Sequence, residues 1–358
     1  MPAPHGRDLE LTRKRLIEWF ETKLPDARNV GLSDLSGPGM TGFSNDTVMF
    51  DLEYEQNEQQ HRDPLVARIK PSGYPVFPEY DLGRQFQVQR MLHKTDVPIA
   101  RMCWQEADES ILGAPFYVME RVEGRIPTDN PPYHVGGWLT EARPEDREML
   151  WWSGLDVLTR IHRLDWKAIG FGFLDDPARG KTPIEQQIHY YRDYLKWAAR
   201  GKPQPVVERA LEWLERERPR QDEPVSLVWG DARIGNMIFR DFRCVAVLDW
   251  EMVTLGNPIE DLGWWLFVDR HHSEGLEAPR LPGFPSREQT VARYEERVGR
   301  RVENLEYYEI FAGFRFGVIM IRLAQQMVEY GLMPAESDFE TNNIVTRLLA
   351  KLLDTAPG

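Results

Sequence analysis

Hydrophobic residues recur with two different periods in the first third of the chain. Residues 8–22 place Leu9, Leu16 and Phe20 on one helical face, which predicts an N-terminal helix. A second helical pattern covers residues 80–94. The remaining short apolar runs are bounded by polar or turn-forming residues and predict strands at 29–36, 46–53, 65–69, 98–105 and 115–119.

Helical periods dominate from residue 144 onward, and one long helix is predicted at 145–162. A capping box beginning at Thr182, with proline at the first helical position, predicts a helix through about residue 199. A second box, beginning at Ser337, predicts the start of the terminal helix.

The pattern changes near Gly124, where a strand-rich first part gives way to a helix-rich second part. The 358 residues are enough for two lobes of ordinary size. We therefore predict an α+β, bilobal fold with an N-terminal antiparallel sheet lobe at 1–122 and a mostly helical C-terminal lobe at 123–358.

Composition narrows the classes of partner. The net charge of −13 argues against nucleic acid and anionic membrane as main partners. The two cysteines form no Cys/His cluster, so a structural zinc site is not expected. The N-terminus has no apolar signal region and no run approaches the length of a membrane span, so we expect a cytoplasmic protein. The sequence predicts no oligomeric state.

The residues that carry chemistry lie between 227 and 251. Asn236 follows Asp231 by five residues, and Asp249 comes after an apolar run that predicts a buried strand. Phosphoryl transfer needs a carboxylate to accept the proton of a substrate hydroxyl, which suits Asp231. Magnesium prefers hard oxygen ligands, which Asn236 and Asp249 supply. Each residue alone is more often a turn or cap residue, but their combination favours a kinase.

This segment resembles the aminoglycoside phosphotransferase and choline kinase-like family of small-molecule kinases, which have a protein kinase-like fold. The family loop usually reads H-G-D-x4-N, and here Trp229 replaces the histidine. The metal segment of the family matches at Asp249. The resemblance implies ATP- and magnesium-dependent transfer of the γ-phosphoryl group to a hydroxyl of a small molecule.

The same resemblance implies a loop over the ATP phosphates. Gly42, Phe43, Ser44 and Asn45 match its G-x-S-N pattern. Glycine lets the backbone approach phosphate, and the serine adds a donor. A glycine-rich turn alone would be weak evidence, because most such turns are ordinary hairpins.

Two positions depart from the family pattern for holding phosphate. Arg68 stands where the family has a strand lysine, and Lys70 is a competing candidate on the same face of the strand. Gln85 stands where the family has the acidic partner of that lysine. Glu79 is the alternative partner if the helix begins earlier.

The segment from residue 116 to 124 resembles the hinge between lobes. There the resemblance implies adenine binding beside Met119 by the Glu120 carbonyl and the Val122 amide. It also implies that Asp261 braces the catalytic loop from behind. His162 is expected to be a structural histidine beneath that loop.

The acceptor is not identified by the sequence. The second half is rich in aromatic residues, including the pair Trp264 and Trp265, which favours an apolar or aromatic hydroxyl compound or a quaternary amine. An aminoglycoside site would instead cluster carboxylates. A nucleotide-binding regulatory protein without transfer activity is the alternative, motivated by Arg68, Gln85 and Trp229. A protein-substrate kinase ranks last.

Overall fold

The computed structural model describes residues 7–37, 46–71, 73–219 and 223–356. The chain divides into two units. The first consists of Met1–Thr95 and Ile99–Glu123, and the second of Asp96–Pro98 and Gly124–Gly358. An antiparallel sheet forms the centre of the first unit and helices dominate the second, as predicted for an α+β protein.

The first unit contains five strands in the order β1-β2-β3-β5-β4, each antiparallel to its neighbours. Its elements are α1 (Leu9–Lys23), β1 (Arg28–Leu32), β2 (Asp46–Gln56), β3 (Gln59–Ile69), α2 (Leu82–Leu92), β4 (Met102–Glu106), α3 (Glu109–Leu112) and β5 (Phe116–Glu120).

Helices cover both faces of this sheet. Leu65, Ala67 and Ile69 of β3 belong to the core that α1 closes, whereas Val66 packs in the core that contains residues of α2. Because side chains alternate along a strand, Arg68 shares the α2 face with Val66.

Two element boundaries in this unit differ from the sequence-based prediction. β3 begins at Gln59 rather than near residue 65, because Asn57 and Glu58 both adopt positive φ angles and turn the chain directly into a polar half-strand. α2 begins at Leu82 with Asp81 as its N-cap. Glu79 therefore lies outside the helix, and the condition for it to replace Gln85 is not met.

The second unit contains eight α-helices and two small antiparallel sheets among its described residues, β6-β9 and β7-β8. Its elements are α4 (Pro144–Arg163), α5 (Trp166–Ile169), α6 (Pro183–Ala199), α7 (Pro205–Arg216), β6 (Ser226–Val228), β7 (Met237–Arg240), β8 (Arg243–Val247), β9 (Thr254–Gly256), α8 (Ile259–His272), α9 (Arg287–Val298), α10 (Leu305–Glu329) and α11 (Ile344–Thr355).

The core of the second unit is built around α8 and α10, which are buried along most of their lengths. They approach closely at Gly263, where an added Cβ would lie 2.7 Å from the backbone of Tyr308. Glycine permits this contact because it has no side chain. In the part of the chain that the structure describes, no helix combines the length and apolarity needed to cross a membrane.

The prediction for the start of the terminal helix was wrong. The box at Ser337 opens no helix, and α11 begins at Ile344 after a capping box formed by Asn343 and Thr346. The apolar periodic run that gives α11 a buried face begins only at Val345. A capping sequence without such a run directly behind it forms a turn instead.

Candidate active site

The segments that carry Asp231, Asn236 and Asp249 are joined within the second unit. β6 leads to Asp231, and a short 3₁₀ turn at Ile234–Asn236 leads into the hairpin of β7 and β8. Asp249 follows β8 by two residues, and the backbone N–H of Leu248 donates to the Asn236 carbonyl at 2.8 Å. The hairpin predicted from the sequence thus connects the two candidate metal ligands.

The Asp231 carboxylate is held by three donors. The Trp264 indole donates to Oδ1 at 2.7 Å, and Arg233 Nε donates to the same oxygen at 3.0 Å. Asn236 Nδ2 donates to Oδ2 at 2.7 Å. Because a carboxylate oxygen has two lone pairs, Oδ2 retains one for a further proton or donor. The carboxylate is therefore oriented while part of its accepting capacity remains.

Asp261 holds the backbone immediately before Asp231. Its two carboxylate oxygens accept the backbone N–H groups of Trp229 and Gly230, each at 2.7 Å. His162 lies 2.9 Å from Asp261 Oδ2 and 2.7 Å from the Tyr294 hydroxyl. These contacts confirm that Asp261 braces the loop and that His162 is a buried structural histidine.

Trp229 replaces the family histidine without leaving the loop unsupported. Its side chain is fully buried, and its indole N–H lies 2.9 Å from the Leu248 carbonyl and 3.0 Å from the Asp249 carbonyl. Asp249 itself has a φ angle of 59°, in the left-handed region. The indole therefore connects the loop of Asp231 to the segment of Asp249.

We expect Trp229→Phe to loosen this connection. The substitution removes the donor to two carbonyls, and we expect a loss of about 1–3 kcal/mol in the free energy of unfolding. Denaturant titration measures this loss, and calorimetry with an ATP analogue should show weaker magnesium-dependent binding. Trp250→Phe is the matched control, since that buried indole makes one long contact of 3.4 Å. Equal effects of both variants would contradict the role of Trp229.

Arg233 is a residue that the sequence analysis missed. Its guanidinium bridges Asp231 and Asp129, and its side chain is 20% exposed. Burial alone would lower the pKa of Arg233, but the charges of Asp129 and Asp231 raise it. Arg233 thus stays positively charged beside Asp231. Its position in the same loop, two residues after Asp231, was the feature of the sequence that could have indicated this contact.

Two neutral histidines lie near this ion pair. Burial lowers the pKa of His271 to about 4. Burial and the charge of Arg233 hold the pKa of His272 well below its usual range. His272 Nε2 lies 3.8 Å from Asp129 Oδ1. The His271 ring packs against Phe316 at 5.1 Å between centroids.

The two consecutive tryptophans of α8 point in different directions, as adjacent residues of a helix do. Trp264 contacts Asp231, whereas Trp265 packs edge-on against Trp151 with ring centroids 5.1 Å apart. Both are almost completely buried. One member of the pair therefore serves the candidate site and the other the core.

Glu260 is an ionisable group buried behind the loop. Burial raises its pKa to about 8, and the adjacent Asp261 charge acts in the same direction, whereas Arg315 opposes both. One carboxylate oxygen accepts the Asn257 backbone N–H at 3.2 Å. At neutral pH this carboxyl group is therefore mostly protonated in the folded protein.

This raised pKa predicts a pH dependence of stability. Because the folded state holds the Glu260 proton more tightly than the unfolded state, its stabilising contribution is present below about pH 4.5 and is lost as the pH rises through about 8. Between those values, the unfolding free energy of wild type should fall relative to that of Glu260→Gln by a few kcal/mol, roughly. Denaturant titrations across pH 5–9 measure this, and parallel curves for the two proteins would contradict it.

The candidate nucleotide residues belong to the first unit where the structure describes them. Gly42, Phe43, Ser44 and Asn45 lie outside the described residues. Arg68 is paired with Tyr117 in the sheet, and Lys70 lies beyond the end of β3.

Gln85 is buried on α2. Met119 and Glu120 end β5, and Val122 packs against the core on the α2 side. A direct contact between Gln85 and Arg68 stays a prediction.

A sequence model of the phosphotransferase enzyme family matches residues 41–296. The chain belongs to this family. Its membership confirms the resemblance to aminoglycoside phosphotransferases and choline kinase-like enzymes that the motifs around Asp231 and Asp249 indicated. A phosphotransferase is therefore the class of enzyme to which the site belongs.

Curated relatives of this family member are longer proteins. A probable acyl-CoA dehydrogenase of Arabidopsis thaliana is 30% identical over 294 residues, which are 76% of this chain and 34% of the relative. Acyl-CoA dehydrogenase family member 11 of Rattus norvegicus is 28% identical over 329 residues, which are 86% of this chain and 41% of the relative. The chain thus spans less than half the length of these relatives.

Solved structures of phosphotransferases share the fold. A candidate aminoglycoside phosphotransferase from Ralstonia eutropha is 25% identical with a TM-score of 0.70, covering 96% of this chain and 99% of its own. An ethanolamine kinase of Plasmodium vivax is 12% identical with a TM-score of 0.56, covering 89% and 82%. The protein kinase-like fold predicted from the sequence is confirmed.

Proposed function

We propose that this phosphotransferase is an ATP- and magnesium-dependent kinase that transfers the γ-phosphoryl group to a hydroxyl of a small molecule. The observation that carries the proposal is the Asp231 carboxylate, oriented by Trp264, Arg233 and Asn236 at the start of the hairpin that leads to Asp249. Phosphoryl transfer depends mainly on positioning and charge, and this arrangement supplies both.

Asp231 acts as the base in this proposal. It accepts the hydroxyl proton while the acceptor oxygen bonds to the γ-phosphorus and the bond from that phosphorus to ADP breaks. Oδ2 is the better placed oxygen, because it accepts one hydrogen bond whereas Oδ1 accepts two. Arg233 holds positive charge beside the reacting groups, where negative charge spreads over the phosphoryl oxygens.

Asn236 and Asp249 fit a magnesium site by their chemistry. The Asn236 amide nitrogen donates to Asp231, so its amide oxygen is the atom suited to a cation. Among the described residues, no group of three or more His, Cys, Asp or Glu side chains could hold a metal. Magnesium on ATP commonly takes only one or two protein ligands. When bound, the ion neutralises charge on the phosphates.

The first unit supplies the nucleotide contacts in this proposal. Arg68 holds phosphate from β3, with Gln85 of α2 as its polar neighbour on the same side of the sheet. Met119, Glu120 and Val122 form the adenine-binding segment. This assignment follows the family pattern, and the placement of Arg68 on the α2 face supports it.

The surroundings of Asp231 favour an acceptor without several ammonium groups. Asp129, the carboxylate linked to this region by Arg233, is already paired. The nearby His271 and His272 are neutral, and Phe316 adds an apolar surface. We expect neutral aromatic or apolar alcohols to be better acceptors than aminoglycosides, whose charges need several carboxylates.

The test is magnesium-dependent ADP formation with a panel of acceptors. Aromatic and aliphatic alcohols, choline-like amines, macrolides and aminoglycosides are compared, with Asp231→Ala as the control. Stimulation by one class that is lost in the variant supports the kinase and identifies its acceptor class. Stimulation by aminoglycosides alone would contradict the acceptor preference.

The alternative is a nucleotide-binding regulatory protein without transfer activity. Arg68 and Gln85, which replace the usual charged pair, are the observations that favour it. The contacts of Trp229 weigh against it, since this departure still links the two catalytic segments. ATP binding without stimulated turnover by any class in the panel would support the alternative.

A further inference from the structure

Arg315 is a buried cation in an otherwise apolar stretch of α10. It is 1% exposed, and apolar residues surround it along the helix. Removing a guanidinium from water costs free energy unless other groups compensate for the lost hydration. Groups in contact with Arg315 must therefore compensate for its lost hydration.

Arg315 contacts a backbone carbonyl and a set of aromatic rings, among them Tyr191, with which it also forms a side-chain hydrogen bond, and the carboxyl groups of Glu260 and Asp261 interact with it electrostatically. Nη2 donates to the Gly230 carbonyl at 2.7 Å. The guanidinium carbon lies 4.8 Å from the Trp264 ring centroid, 5.3 Å from that of Tyr191 and 5.4 Å from that of Phe311. Ring faces attract cations, and this attraction is stronger in a site without water.

Two of these contacts lead directly to Asp231. Gly230 is the residue before Asp231, and its N–H is held by Asp261 while its carbonyl is held by Arg315. Trp264, whose ring lies beside the guanidinium, donates its N–H to Asp231 Oδ1. A cation beside the indole ring draws electron density from it and makes the N–H a stronger donor.

We propose that Arg315 is a positioning residue that fixes the Asp231 carboxylate through the Gly230 carbonyl and the Trp264 indole. Arg315 does not contact the reacting atoms. Its effect on turnover rests on the proposed kinase function, but its effect on Trp264 can be measured without any activity.

The same helix provides a matched control. Arg322 lies seven residues further along α10 and is also 1% exposed. Its guanidinium carbon lies 4.1 Å from the Trp197 ring centroid, and it donates to Gln325. Arg322→Met therefore removes a buried, ring-stacked arginine of the same helix from a different environment.

The first measurement is the indole N–H signal of Trp264 in protein labelled with ¹⁵N-tryptophan, assigned by its loss in Trp264→Phe. Arg315→Met should move this signal towards that of a more weakly bonded indole, and Arg322→Met should leave it in place. Arg315→Lys, which keeps the charge without the planar fork, should give an intermediate shift and also serves if the methionine variant does not fold.

The second measurement is turnover with the acceptor found in the panel. We expect Arg315→Met to lower kcat by about 10- to 100-fold with little change in KM for ATP, since misplacing the base affects the chemical step. Arg315→Lys should recover part of kcat. For Arg322→Met, kcat per folded molecule should stay unchanged.

Two outcomes would overturn the proposal. One is a Trp264 signal that stays in place in the folded Arg315 variants. The other is an equal change of that signal in the Arg322 and Arg315 variants, which would mean that Arg315 only fills the core. If no acceptor supports turnover in wild type, the kinase proposal fails, while the indole measurement still decides the role of Arg315.

Discussion

Replacing Asp231 with alanine is expected to lower the rate of phosphoryl transfer by about 10²- to 10⁴-fold, the usual contribution of a positioned general base. The variant removes the carboxylate on which Trp264, Arg233 and Asn236 converge. ATP affinity should survive, because the proposed nucleotide contacts are made by other residues. Single-turnover kinetics and calorimetry with an ATP analogue measure the two quantities separately.

Two further variants sharpen this result. Asp231→Asn keeps the shape of the side chain but cannot accept a proton in the same way, so it should lose activity nearly as fully as the alanine variant. Asp241→Asn removes one negative charge from the exposed turn between β7 and β8, where asparagine tolerates the left-handed backbone, and should keep full activity. Full turnover in Asp231→Ala would refute the assignment of the base.

Asp261→Ala is expected to cause the largest loss of stability, about 3–5 kcal/mol in the free energy of unfolding. The Asp261 side chain is fully buried, and its removal leaves the N–H groups of Trp229 and Gly230 and the ring of His162 without their acceptor. Each of these buried groups then lacks a hydrogen-bond partner, and since water does not reach it in the core, the folded state is destabilised. Denaturant titration measures the loss.

Activity should fall as well, because Asp261 fixes the backbone that carries Asp231. Asp269→Ala is the matched control: it removes a second buried carboxylate of α8, one that accepts from Tyr133, His134 and Arg280 instead of from the loop. Both variants should be destabilised, but only Asp261→Ala should lose kcat per folded molecule. An equal loss of kcat in both would show that Asp261 acts through general stability alone.

Local signals in the sequence predicted the elements that carry the site. The periodic run of α4 and the capping box of α6 define helices with little dependence on distant residues. The order of Asp231, Asn236 and Asp249 follows from one continuous stretch, so the hairpin between them was also predictable. The terminal helix was misplaced because the box at Ser337 was weighed without the position of the apolar run behind it.

The surroundings of Asp231 were not predictable in the same way. Trp264 and Arg315 lie on α8 and α10, far from the loop in sequence, and their contacts arise only when both helices pack behind it. A signal for Arg315 was present, since an arginine within the apolar part of α10 must be buried with compensating groups. Nothing in the sequence alone indicated that the compensating groups would include the Gly230 carbonyl.

The left-handed backbone conformation at Asp249 limits the residues that can replace it. The φ angle of Asp249 is 59°, a conformation that is unfavourable for most residues but is tolerated by glycine, asparagine and aspartate. In its proposed role as a magnesium ligand, this position also needs a hard oxygen, which excludes glycine and leaves asparagine as a neutral, weaker substitute. In a library of all twenty residues at this position, we therefore expect activity to concentrate in the parent aspartate. An alanine variant would mix lost ligation with backbone strain, which makes asparagine the cleaner probe of the carboxylate.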